Sequence, residues 1–191
     1  MIPPHNPGRP QDQHDPGGRV RIALTDNIQG GAAFSPCGRY RHLLTRDWTP
    51  VDTLPRAILW IGMNPSTADE TVSDPTCNRE VIFSRDWGFT RYLKCNMLDW
   101  RATKPADIPQ DPDQACTARN VEVILEQARA AQMVLLAYGK LHQRYHPRIS
   151  QTIAALREIH PVLHCLGQNA DGSAKHPLYL RKTLTPQVFP R

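Results

Sequence analysis

The sequence predicts an α/β protein: three layers, with a central, mainly parallel sheet between helices. Continuous apolar runs that suit buried strands, such as residues 57–62 and 133–138, alternate with stretches of helical periodicity. Several of the apolar runs end at a glycine, which marks a turn. From residue 57 onward the order is strand, helix, strand, helix, strand, helix, strand, and this alternation is typical of parallel sheets covered on both faces.

The individual elements follow from local patterns. Residues 19–25 and 40–48 suit strands and are separated by the turn Ser35-Pro36-Cys37-Gly38, so we expect an N-terminal β-hairpin. Apolar spacing and the glycine stops predict helices over 76–87, 113–131 and 148–159, and strands over 57–62, 92–98, 133–138 and 162–166.

Length and composition favour one globular domain. The chain has 191 residues, of which 40% are apolar, enough for a substantial core. Residues 1–18 contain five prolines and three glycines and almost no apolar residues. We therefore expect a disordered tail over 1–18 and a single α/β domain over 19–191.

Other protein classes find little support in the sequence. No run approaches the ~20 apolar residues that span a membrane, and the first residues lack the plan of a signal peptide, so we expect a cytoplasmic protein without membrane contact. The five cysteines form no C-x-x-C pair, and Pro147 follows the pair His142 and His146, so neither a metal site nor a cofactor is expected. The net charge of +5 permits contact with phosphates.

The first candidate site segment follows the strand at residues 57–62. Gly62, Met63 and Pro65 shape a tight turn in which Asn64 can present an amide that both donates and accepts hydrogen bonds. Asp69 supplies an acceptor or a base nearby. The same pattern also fits a turn that merely links a strand to a helix.

The second candidate segment opens the helix predicted over 76–87. Asp74 suits a helix cap, whereas capping does not explain Asn78 and Arg79, which we expect beside the same crevice. Ligands of parallel sheets bind beyond the carboxyl ends of the strands, where the loops after the predicted strands converge.

The third and fourth segments follow later strands. Asn96, Asp99 and Trp100 come at a strand end, and an exposed tryptophan there is costly unless it packs or binds. In the last loop, Asn169 and Lys175 accompany His176, whose neutral ring can donate a hydrogen bond to developing negative charge. A surface histidine without function is the alternative interpretation of His176.

Three segments taken together resemble a bacterial and phage family catalogued as domain of unknown function number 1643. The segments are residues 60–69, 74–79 and 175–180, and the resemblance covers roughly residues 40–180. More distantly, the layout is similar to the uracil-DNA glycosylase superfamily, whose mismatch-specific branch has a G-I-N-P-G motif after the first strand and a P-x-x-N-R segment that opens a helix.

The distant resemblance implies roles for two residues. Asn64 would position and activate the attacking water, and His176 would stabilise the charge on the pyrimidine as the glycosidic bond breaks. Asn96 or Asn169 would contact the edge of the base. The serine and the second proline of the superfamily's H-P-S-P-L loop are missing after His176. For an aromatic that would stack on the base, Phe83 and Trp100 are the candidates.

The leading hypothesis is therefore hydrolysis of an N-glycosidic bond to a pyrimidine, in nucleic acid or in a free nucleotide, with a possible place in DNA repair. Two alternatives remain open at this stage. One is a protein that binds a nucleotide or modified base without catalysis, and the other is an enzyme that processes small nucleotides.

Overall fold

The computed structural model describes residues 20–190. The predicted tail over residues 1–18 lies outside the described residues. Within them the chain forms a mixed α/β fold around one seven-stranded sheet, with a further two-stranded sheet beside it. The strands are β1 (Ile22–Ala23), β2 (Gln29–Phe34), β3 (Arg41–Asp47), β4 (Ala57–Gly62), β5 (Val72–Ser73), β6 (Arg91–Asn96), β7 (Met133–Leu136), β8 (His164–Cys165) and β9 (Gln187–Val188).

The main sheet has the strand order β2-β3-β6-β4-β7-β8-β9. The three central pairings, β6 with β4, β4 with β7 and β7 with β8, are parallel. The outer pairings, β2 with β3, β3 with β6 and β8 with β9, are antiparallel. The sheet is therefore mixed, with a parallel centre, rather than mainly parallel as we expected.

Four α-helices accompany the sheet in the described residues: α1 (Pro75–Asp86), α2 (Pro112–Ala115), α3 (Ala118–Ala130) and α4 (His146–Ile159). Local chemistry explains where α1 begins and ends. The carboxylate of Asp74 accepts a hydrogen bond from the Cys77 amide at 2.8 Å, and Pro75 occupies the first turn. Gly88, with φ of +78°, lets the chain turn away after the helix.

The hydrophobic core lies on both faces of the sheet, because successive residues of β4 point to opposite sides. Leu59 and Ile61 belong to the core cluster that contains apolar residues of α3 and α4. Ile58 and Trp60 belong to the cluster that contains Val81 and other residues of α1. Helices thus cover both faces, which leaves the ends of the central strands as the accessible part of the sheet.

Two predicted elements differ from the structure. The hairpin exists, but its first strand is β2 rather than residues 19–25, whose short strand β1 pairs with β5 instead. The helix predicted over 113–131 is divided into α2 and α3. Thr117 caps α3 while its amide and hydroxyl both donate to the buried Asp99 carboxylate, so a contact from a distant strand end interrupts the helix.

Candidate functional site

A cavity of about 330 Å³ lies beyond the carboxyl ends of β4 and β6. Its volume is at the lower end of the range usual for small-molecule sites. Loops from separate parts of the chain contribute to its wall, as expected for the end of parallel strands. It is lined by Arg41, Met63, Asn64, Ser66, Asp74, Pro75, Thr76, Cys77, Lys94, Asn96, Ala102, Thr103, Pro105, His176 and Leu178.

Hydrogen bonds from its amide nitrogen hold the side chain of Asn64 in one orientation. Nδ2 donates to the carbonyl oxygens of Pro65 at 2.9 Å and Ala102 at 2.8 Å. Among the described residues, no donor is bonded to its Oδ1. The turn therefore fixes the orientation of the amide and leaves the carbonyl oxygen of Asn64 as the group that can accept a hydrogen bond from a molecule in the cavity.

His176 is a neutral imidazole of defined orientation. Burial and, to a smaller extent, the Lys94 ammonium lower the pKa of His176 from 6.5 to about 4, against the opposing effect of Asp74. The Leu178 amide donates to Nδ1 at 3.4 Å, so Nε2 carries the proton of the neutral ring. His176 can therefore donate a hydrogen bond without carrying a positive charge.

The loops after β4, β7 and β8 meet at this imidazole. Gly139, which follows β7 and has φ of +66°, packs so closely that a Cβ built on it would lie 3.2 Å from Cβ of His176 and 3.7 Å from Cε of Met63. Asn64 and His176, which are 112 positions apart in the sequence, therefore line the same cavity.

The cavity floor, which we define as Arg41, Lys94 and Asn96, is polar and almost completely buried. Asn96 is 1% exposed and Lys94 3% exposed. Lys94 Nζ donates to Glu80 of α1 at 2.6 Å, and Glu80 also accepts a hydrogen bond from Tyr92. Arg41 donates through Nη1 to the Ala68 carbonyl at 2.6 Å.

Sequence reasoning missed Arg41 and Lys94 as cavity residues and treated Asp74 only as a helix cap. The signal for Lys94 was available, because a lysine two positions before Asn96 on one strand must share its face of the sheet. For Arg41, which stands at the start of β3, no local pattern indicates that its side chain reaches the cavity.

Two predicted acidic residues lie elsewhere. Asp69 does not line the cavity, and its Oδ1 accepts hydrogen bonds from the amides of Thr71 and Val72, which makes it the centre of its own turn. Asp99 is fully buried, and its carboxylate accepts hydrogen bonds from the amide and the hydroxyl of Thr117. His42 Nδ1 lies 3.1 Å from Oδ2, the oxygen that the Thr117 hydroxyl also contacts. Both carboxylates hold loops in place.

The predictions for α1 also need correction. Asn78 lines a separate cavity, beside β1. Arg79 lies over the ring of Phe83 at 5.0 Å and donates to the carbonyl of Leu180. Arg79 therefore joins α1 to the segment that follows His176. Phe83 is 1% exposed within the core, so in this structure it is not available to stack on a ligand.

The remaining predicted residues do not line the cavity. Trp100 packs edge-on against Tyr40, with ring centroids 5.4 Å apart. Asn169 donates to Ser173 within the last loop. Lys175 is exposed. Of the predicted set, Met63, Asn64, Asn96 and His176 line the cavity, and Gly62 and Pro65 shape the turn beside it.

Fold and site together define an α/β protein with a cavity at the carboxyl edge of a parallel strand pair, and buried polar side chains form the floor of this cavity. The chain belongs to the family described as "Protein of unknown function (DUF1643)", whose sequence model matches residues 41–178. No curated protein and no solved structure matches the chain. In residues 20–190 no helix is both long and apolar enough to cross a membrane, and no three metal-ligating side chains cluster there.

Proposed function

We propose that this protein binds a pyrimidine base in the cavity and hydrolyses its N-glycosidic bond, as the resemblance to the uracil-DNA glycosylase superfamily implies. The single observation that carries the proposal is the shared cavity of Asn64 and His176. One offers a free carbonyl oxygen and the other the N–H of a neutral imidazole. These are the two groups that such a hydrolysis requires on opposite sides of the breaking bond.

In the proposed reaction, Asn64 Oδ1 accepts a hydrogen bond from a water molecule and orients it towards C1′ of the sugar. The bond from C1′ to the base nitrogen breaks, and its electron pair leaves with the base. His176 Nε2–H donates to a carbonyl oxygen of the base as negative charge develops there. The water oxygen bonds to C1′, and its released proton ends on the base.

The carboxylate that assists the water is Asp74 in this proposal, and not Asp69. Asp74 lines the cavity and is 8% exposed, whereas Asp69 is engaged in its own turn. One oxygen of Asp74 caps α1. Among the described residues no hydrogen bond is given to its other oxygen, Oδ2, which can accept a hydrogen bond in the cavity.

The partner in this proposal is a nucleic acid or nucleotide, as the superfamily resemblance implies. The parallel centre of the sheet and the helices on both faces are the features that the superfamily resemblance predicts. With Phe83 in the core, no aromatic ring other than His176 lines the described cavity. Met63 and Leu178 would therefore contact the faces of the base. A cytoplasmic role in DNA repair fits this proposal.

The test is release of free base. The purified protein is incubated with oligonucleotides that contain uracil, a thymine mismatch or hydroxymethyluracil, and with free nucleotides. Base release is expected from at least one substrate, and Asn64→Ala and His176→Ala should each reduce its rate about 100-fold or more, the usual effect of removing one such group. His142→Ala is the matched control, because His142 is exposed and does not line the cavity.

The other outcomes identify the rival functions. Binding without release of base by the wild type would support a non-catalytic protein that recognises a nucleotide or modified base. Action on free nucleotides alone, with affinity that changes little with salt, would support a small-molecule enzyme, since binding to a polynucleotide weakens steeply as salt rises.

A further inference from the structure

We infer that Lys94 and Asn96 form a donor-rich subsite that selects a ligand whose buried edge carries carbonyl or anionic oxygens, and that the Lys94 ammonium binds this edge directly. This inference rests on the proposed function of the cavity as a base-binding site. It adds a charged residue to the recognition of the base and names the class of base, a dione or its anion rather than an amine.

The first argument is the number of hydrogen bonds that the floor leaves unmade. The Lys94 ammonium has three N–H groups, and in the described part of the chain its hydrogen-bond acceptor is Glu80. Neither Nδ2 nor Oδ1 of Asn96 has a partner among the described residues, and Nε of Arg41 has none either. Buried polar atoms are almost always bonded, so this concentration of unpaired polar atoms, most of them donors, indicates that a ligand or water completes their hydrogen bonds.

The second argument is the balance between donors and acceptors. Lys94 and Arg41 carry only donors, whereas the amide of Asn96 offers both kinds of group. Nε2–H of His176 adds another donor to the cavity. A ligand edge with two oxygens satisfies this set, whereas an exocyclic amine would place N–H groups against the Lys94 ammonium and leave donors facing donors.

The third argument is the close packing around the floor. Lys94 and Asn96 stand two positions apart on β6, and Gly62 of the neighbouring strand lies opposite Asn96. A Cβ built on Gly62 would lie 2.4 Å from Nζ of Lys94 and 2.7 Å from Oδ1 of Asn96. The absence of a side chain at position 62 is therefore what allows both groups to reach the cavity together.

The fourth argument is electrostatic. The charge of Lys94 acts on the imidazole across the cavity, since it contributes to the lowered pKa of His176. A cation that disfavours a second positive charge on His176 also favours negative charge on a ligand between the two groups. Glu80 of α1 forms an ion pair with the Lys94 ammonium, and the Glu80 carboxylate itself does not line the cavity.

The experiment is calorimetric titration of the full chain with three free bases, uracil, cytosine and barbiturate, the last an anion that carries exocyclic oxygens and no exocyclic amine. We expect barbiturate to bind most tightly and cytosine most weakly. Lys94→Met should weaken the binding of barbiturate by about tenfold or more, the value of one charge-assisted hydrogen bond, and leave the affinity for cytosine almost unchanged.

Two further variants keep the result interpretable. Lys94→Met leaves the buried Glu80 without its cationic partner, so the double variant Lys94→Met/Glu80→Gln removes both charges and serves if the single variant does not fold. Lys182→Met loses the same charge at an exposed position away from the cavity and should bind all three bases as the wild type does.

The outcomes separate this inference from the proposed function. Equal affinity for the three bases, or an equal loss for all three in Lys94→Met, would overturn the subsite even if the protein releases base. Selective binding that depends on Lys94 supports the subsite even if no base is released. Failure of all three bases to bind overturns the subsite and removes the support for the cavity as a base site.

Discussion

Two buried polar side chains of the sheet, Arg46 and Asn96, differ in whether the protein satisfies their hydrogen bonds. Arg46 of β3 is fully buried, and its guanidinium donates to the carbonyls of Asp69 and Val72 at 2.7 and 2.8 Å and to the hydroxyl of Ser73. Asn96 of β6 is equally buried, yet no polar atom of its side chain has a partner among the described residues.

The difference separates a polar side chain whose hydrogen bonds the protein satisfies from one whose hydrogen bonds it leaves unmade. A polar group that the protein itself satisfies stabilises the segment it touches, here residues 69–73. A polar group that the protein leaves unsatisfied costs free energy in the empty protein, and that cost is recovered when a ligand binds. Arg46 therefore belongs to the fold, and Asn96 to the cavity.

The largest expected effect tests the comparison directly. Arg46→Met should lower the free energy of unfolding by about 4 kcal/mol, because the carbonyls it binds are left without donors. Asn96→Leu should change the same quantity by less than about 1 kcal/mol while it abolishes binding of a base. Urea denaturation measures both. A loss from Asn96→Leu as large as that from Arg46→Met would contradict the distinction.

The next effect is a pH dependence that arises from His176. Its pKa of about 4 in the folded protein lies below the ordinary value of 6.5, so the unfolded chain binds the proton more readily. Stability from this residue is complete above pH 6.5 and is lost as the pH falls through 4, by about 3 kcal/mol. His176→Asn should flatten this part of the stability profile, and an unchanged slope would show that the imidazole is not shielded from water.

A smaller effect is expected where the floor is most crowded. Gly62→Ala should lower stability by about 1.5 kcal/mol, because the new methyl group displaces the Lys94 ammonium from its place beside Glu80. The free energy of base binding should fall by more than the free energy of unfolding. Calorimetry measures the first quantity, and thermal unfolding measures the second. Ala32→Gly, in β2 at the edge of the sheet, is a control for the general cost of changing one methyl group in a strand.

The smallest effect concerns a residue that the sequence marked as catalytic. Asp69→Asn keeps the oxygen that accepts from Thr71 and Val72, so stability should change by less than about 0.5 kcal/mol and base release should persist. Any large fall in base release with stability unchanged would return Asp69 to the reaction. The measurement is the same base-release assay, performed beside Asp74→Asn.

Elements with a strong local signal were predicted within a few residues. The apolar run of β4 and the capped helix α1 are examples, because burial on both faces and a cap with an adjacent proline are visible in the sequence. The break between α2 and α3 was not predictable, because it depends on Asp99, a partner that reaches Thr117 only in the folded chain.

The site residues show the same contrast between local signals and contacts that exist only in the folded chain. Asn64, Asn96 and His176 were predicted because each comes at or after a strand end, and strand ends of a parallel sheet meet. Asn78 and Arg79 were misplaced, because which side of a helix faces a cavity depends on how the helix packs. The pairing of Lys94 with Glu80 joins a strand to a helix, and no spacing rule in one sequence reveals it.

The packing of α1 against the sheet has an optical consequence. Trp60 of β4 and Trp87, which follows α1, stack with centroids 5.6 Å apart and planes inclined by 9°. Two indoles at this distance couple electronically, so the pair should leave a signature in the near-ultraviolet circular dichroism spectrum. Thr76 and Cys77 of α1 line the cavity. The spectrum therefore reports, without a label, any change in the position of α1 against the sheet and with it of this part of the cavity wall.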